Sequence, residues 1–105
     1  MARFEEAGGA AVRGDRATLD ALAAGRVATL LVVDDPADAR PAWFGDQVLA
    51  ASSPAAAQAQ EHSCRRGRLV DVAIRAALLT RAEVLVLAPG QAPRLPGGIG
   101  AVCRY

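Results

Sequence analysis

The chain contains no lysine; all twelve of its cations are arginine. Set beside the abundance of alanine, this bias reflects GC-rich coding and does not by itself argue for phosphate binding. Aromatic residues are scarce, at 4%, so the core must be built from Leu, Val, Ile and Ala, with Trp43 and Phe44 as rare large fillers. Histidine occurs once, as His62. A single histidine in a polar stretch cannot anchor a Ser-His-Asp set, and no pair of buried carboxylates is apparent. General acid–base and nucleophilic catalysis therefore lack candidates. Two cysteines, Cys64 and Cys103, are too few for a secreted disulfide scaffold, and both are expected reduced. No apolar run is long enough for a membrane-spanning helix, and the first residues lack the apolar core of a signal peptide. A cytoplasmic location is the resulting expectation. The net charge is +1, which supplies no overall field to draw in nucleic acid or an anionic membrane.

What remains is a chain of 105 residues, 52% hydrophobic, suited to one domain with one core. Residues 1–14 read as a leader or the remnant of a preceding segment, and 15–105 as a single α/β domain. Asp15 is the expected N-cap of a first helix. Leu19, Leu22 and Ala23 mark its apolar face, and Gly25 is its natural left-handed terminus. Val27–Val33 reads VATLLVV, an unbroken apolar run that suits a strand covered on both faces. A loop with Asp34, Asp35 and Pro36 follows. Ala42, Trp43 and Phe44 suit a short strand. Ser53 and Pro54 can start a helix, though residues 55–60 offer little to bury. Residues 62–67 read as a polar break.

The strongest helix signal spans 68–81. Leu69, Val72, Ala73, Ala76 and Leu79 form one face, widened by Val70, Ile74, Ala77 and Leu78. Asp71 and Arg75 are placed for an i,i+4 ion pair. Glu83–Leu87, EVLVL, reads as a second buried strand. A Pro/Gly loop and Gly97-Gly98-Ile99-Gly100 then lead into a terminal strand over 101–105. Helices alternating with buried strands predict a three-layer or two-layer α/β sandwich, with antiparallel or mixed pairing at one edge of the sheet.

Four features invite chemistry. Asp34, Asp35 and Asp38 follow a buried strand, where ligands gather in open α/β sheets, and could hold a hard cation. No further ligand completes a metal site, and a solvated loop with an Asx turn is the favoured reading. Gly97, Gly98 and Gly100 precede a strand with no helix after it, so they are not a dinucleotide fingerprint; positive φ or close backbone approach is their expected role. His62 and Cys64 form an H-x-C pair without the partners that a zinc site or an activated thiolate requires. Arg65, Arg66 and Arg68 form a basic run at a helix start, suited to RNA phosphate or partner contact. No aromatic residue is interleaved to stack on bases. No cofactor is indicated.

Three segments carry a family resemblance: residues 20–32 (DALAAGRVATLLV), residues 69–77 leading to Ala82-Glu83-Val84, and the closing residues 95–105 (LPGGIGAVCRY). Together they resemble the C-terminal domain of archaeo-eukaryotic peptide chain release factors and Pelota. Asp34-Asp35-Pro36 followed by Trp43-Phe44-Gly45 resembles the release-factor-like proteins of actinobacteria. The resemblance implies a three-layer α/β/α sandwich with a mixed sheet of about four strands, of the ribosomal L7Ae/L30e-like class. It implies a non-catalytic docking and scaffold module of a translation protein, and a domain fragment of a longer chain. The family's hydrolytic loop lies in a central domain with no counterpart here. Implied partners are the ribosome, a translation protein or a second copy of the chain. A stand-alone RNA-binding module of L7Ae type is the alternative, and Arg65, Arg66 and Arg68 are its candidate contacts.

Overall fold

The computed structural model describes residues 11–60, 63–90 and 95–104. The elements in order are β1 (Ala11–Arg13), α1 (Asp15–Ala23), β2 (Val27–Val33), β3 (Pro41–Phe44), α2 (Pro54–Gln58), β4 (Arg65–Arg68), α3 (Leu69–Leu79), β5 (Glu83–Leu87) and β6 (Ile99–Cys103). Four strands form a sheet in the order β1-β6-β2-β5, and β3 and β4 form a separate two-stranded ribbon. The main sheet is mixed: β2 runs parallel to β5 and antiparallel to β6, which is antiparallel to β1. The expected α/β class and four-stranded mixed sheet are thus what the chain forms. Residues 11–13, expected within the leader, form an edge strand.

VATLLVV occupies the centre because its residues can be buried on both sides. Val27, Leu30 and Val32 point into the larger core with Leu19 and Leu22 of α1 and Leu69, Val72 and Ala76 of α3. Leu31 points to the opposite face, where it packs with Leu95, Val33, Leu87 and Val102. Thr29, also buried, donates its hydroxyl to Glu83 of β5 at 3.4 Å.

The N-cap of α1 is Gly14, not Asp15. At φ 85° Gly14 turns the chain into the helix, and its N–H is bonded to the Ile99 carbonyl at 3.0 Å. Asp15 is therefore already inside the first turn, where its charge meets the positive end of the helix dipole. The other terminus matches expectation. Gly25, at φ 69°, bonds Leu22 O, and Arg26 N–H bonds Ala21 O, the two bonds of a Schellman closure. The buried face is Thr18, Leu19, Ala21 and Leu22, while Ala23 is exposed.

The second helix signal is shorter than 68–81. Arg81 adopts φ 61°, and Arg81 N–H and Ala82 N–H bond back to Leu78 O and Ala77 O. Leu78 and Leu79, in the last turn of α3, are 64% and 58% exposed. They do not extend the apolar face as expected.

Three strand assignments also need correcting. EVLVL is an edge strand, hydrogen-bonded to β2 alone among the described residues, and Glu83, Leu85 and Val86 are exposed. Hydrophobicity records the run but not how many neighbours it has. Residues 65–67, expected within a polar break, and Arg68, expected to open the helix, form β4. Their pairing with 41–44 of β3 runs through the backbone and needs no hydrophobic pattern. The terminal strand starts earlier than expected, at Ile99.

Around the ribbon, Ser53 caps α2 as anticipated, its hydroxyl accepting from Ala56 N–H at 3.1 Å with Pro54 at the helix start. Ala57 is fully buried with Val48 and Ala51, against Trp43 and Cys64. Arg104, at the end of the chain's closing segment, donates to Val27 O and Thr80 O. It ties the end of β6 to β2 and places a cation at the carbonyl end of α3.

Candidate functional site

The arginines singled out in the sequence lie on β4, beside the start of α3, and the fold treats them differently. Arg68 is a structural hub. It donates to Asp38 O at 2.9 Å, Asp35 O at 2.7 Å, Asp34 Oδ1 at 3.2 Å and Asp71 Oδ1 at 3.4 Å. Its hydrogen bond to Asp34 is the main reason its basicity is raised. Its donors hold the loop that leaves β2, so it is committed to the fold. Arg65 is exposed, lies 5.2 Å above the Phe44 ring and is 3.9 Å from Asp46. Arg66 is exposed and lines two shallow hollows, of about 210 and 290 Å³.

A fourth arginine, Arg75, joins this cluster. Its guanidinium sits 4.8 Å from the Phe44 ring centroid, and its Nη1 is buried without a hydrogen-bond partner. The expected Asp71–Arg75 pair is not what forms: Asp71 pairs with Arg68 and Arg75 with the aromatic ring. A face-centred cation so placed is attracted by the ring quadrupole. The signal was present in the sequence. Positions 68, 71, 72 and 75 follow i, i+3, i+4, i+7 spacing, which puts Arg75 on the same stripe as Arg68. Gly67 lets the ribbon approach this stripe. A Cβ there would come within 2.9 Å of Val72 Cγ2 and 3.3 Å of Phe44 Cε1.

Of the three carboxylates after β2, Asp34 and Asp38 face arginines. Asp35 Oδ1 accepts from Ala37 N–H at 2.9 Å, the Asx turn expected of a solvated loop. Asp38 takes a two-pronged contact from Arg40, Nε to Oδ1 at 2.9 Å and Nη2 to Oδ2 at 2.7 Å. That pairing holds the Asp38 carboxyl below its ordinary range and raises Arg40. Among the described residues no three His, Cys, Asp or Glu side chains are grouped to hold a metal ion. Arg40 also donates to Gly97 O. Gly97 and Gly98 both adopt φ 69°, so these glycines serve the turn, as the sequence suggested. His62 lies outside the described residues. Cys64 packs beside the Ala57 cluster and Cys103 is buried in β6, and neither is in a disulfide.

No family model matches the chain, and no curated protein matches its sequence. Among solved structures, the chain is similar to the C-terminal domain of a peptide chain release factor from Methanosarcina mazei. The TM-score is 0.65 at 19% identity, over 99% of this chain and 78% of that one. At this identity the likeness establishes the fold.

Proposed function

We propose that the chain is a non-catalytic docking and scaffold module of a bacterial release-factor-like translation protein, working in the cytoplasm on the ribosome or a translation partner. The observation that carries this reading is the likeness of fold to a release-factor C-terminal domain across 99% of the chain. The sequence resemblance supports it independently. Its closing segment forms the Gly97–Gly98 turn and β6, the strand that joins β1 to the central β2. That segment is fixed by Arg104 rather than offered to a substrate. The reactive groups support the same reading: Cys103 is buried, and Asp38 and Arg68 are committed to internal pairs.

The test is sedimentation of the tagged full chain through a sucrose gradient of lysate from its own organism, with peptidyl-tRNA hydrolysis assayed on the purified chain. Migration with ribosomal particles, without hydrolysis, is the expected result. A chain found only at the top of the gradient, or one that hydrolyses peptidyl-tRNA unaided, would overturn the reading.

A further inference from the structure

Of the four clustered arginines, two have their charge matched by carboxylates. Arg68 is bonded to Asp34 and Asp71, and Arg65 lies near Asp46. Arg66 and Arg75 have no carboxylate within ion-pair distance among the described residues. Both line the hollow of about 210 Å³ between β4 and α3, together with Phe44, Gly67, Arg68 and Asp71. The lining thus holds three cations against one anion, and that anion is already bonded to Arg68. Arg75 is held over Phe44, with one guanidinium nitrogen shut off from solvent and lacking an acceptor. A partly desolvated, unneutralised charge is costly, and an anion seated in the hollow would relieve it.

We infer that this hollow is a phosphate site, with Arg66 and Arg75 as the binding cations, and that it takes a backbone phosphate of RNA. Two observations favour a phosphate chain over a single carboxylate. The neighbouring hollow, of about 290 Å³, is lined by Ala39, Pro41, Arg66, Gly67 and Arg68, and contains no acidic residue. Arg66 lines both hollows while Arg68 is held by its own carboxylates, so the Arg66 guanidinium can meet oxyanions on either side, as a polymer of regularly spaced charges would offer. Guanidinium groups supply the forked donors that phosphate oxygens accept. The Phe44 ring is already engaged by two guanidinium groups, so it is not available to stack a base. Binding should therefore depend on salt and be indifferent to sequence. The site belongs to the chain itself and does not rest on the translation reading, so its test uses no ribosome.

Fluorescence anisotropy of the purified chain with a labelled hairpin RNA, across a salt series, reads this directly. Arg66→Gln and Arg75→Gln should each weaken binding about fivefold and lower the salt slope by about one. Arg16→Gln, the same charge loss on the exposed first turn of α1, should have a much smaller effect. Two hairpins of unrelated sequence should bind equally. Because Arg75→Gln removes a packed side chain, amide chemical shifts of the wild-type chain titrated with the RNA give a second reading, expected at Arg66 and Gly67. Competition by inorganic phosphate at matched ionic strength would keep the site but assign it to a free phosphate rather than RNA. Binding absent at low salt, or weakened equally by all three substitutions, with no shift at Arg66 or Gly67, would overturn the proposal.

Discussion

β2 and β5 read alike in the sequence, VATLLVV and EVLVL, and the fold puts them to opposite use. β2 has a hydrogen-bonded neighbour on each side and side chains buried on both faces. β5 pairs with β2 alone among the described residues, and three of its five residues are exposed. Composition does not make the difference. β2 is flanked by β6 and is covered by α1 and α3. β5 follows the last turn of α3, where Leu78 and Leu79 already face outward. An apolar strand is buried by its place in the topology; the run itself only permits it.

This contrast is most directly broken at its centre. Leu30 is fully buried in the main core. Leu30→Ala should cost about 3 kcal/mol, the transfer of the lost atoms plus the cavity left behind. Urea unfolding followed by circular dichroism measures it. A loss under about 1 kcal/mol would show that β2 is not the packed centre described here. The next effect is expected where the ribbon meets α3. Gly67→Ala puts a methyl 2.9 Å from a methyl of Val72, which is itself buried. Overpacking of this kind costs about 2 kcal/mol. Wild-type stability in this variant would mean that the ribbon is free to move off the helix.

The sequence made β2, the Gly25 terminus, the Ser53 cap and the Gly97–Gly98 turn legible because each rests on local chemistry: β-branched bulk, a left-handed backbone, a hydroxyl within reach of a free N–H. It concealed β4 because Arg65-Arg66-Gly67-Arg68 pairs through its backbone, and a strand of that kind leaves no periodic trace. It misread β5, and the Leu78–Leu79 end of α3, because exposure is decided by distant segments. The arginine cluster was half legible. Adjacency gave Arg65, Arg66 and Arg68, but not that Arg68 would be consumed by the Asp34–Asp38 loop. Only helical spacing carried Arg75 to the same surface, and Asp71 drew attention to the wrong partner.

The loop leaving β2 offers a smaller effect with a defined pH window. Arg40 holds the Asp38 carboxyl below its ordinary range, so the native state binds a proton less readily than the unfolded chain. The stability this contributes is fully present above the ordinary aspartate value of about 3.9. It is lost as pH falls through the depressed native value. Asp38→Asn should therefore be less stable than wild type near neutrality, with the gap closing below about pH 4. Melting temperatures of both proteins across this range test it. A gap that stays constant with pH would assign the loss to packing and not to the ionised pair.

The smallest effects belong at the edge. Leu85 and Val86 are 44% and 55% exposed, so Leu85→Ala should cost no more than about 1 kcal/mol and Val86→Lys less than about 0.5 kcal/mol. A lysine on an edge strand also opposes edge-to-edge pairing, because a second strand would have to bury its charge. Sedimentation velocity over a concentration series therefore reads the same substitution a second way. If two copies associate through β5, Val86→Lys should abolish the association while leaving the unfolding midpoint unchanged. A large loss of stability without any change in association would mean that Val86 is covered within one chain, and EVLVL would then be the buried strand its composition first suggested.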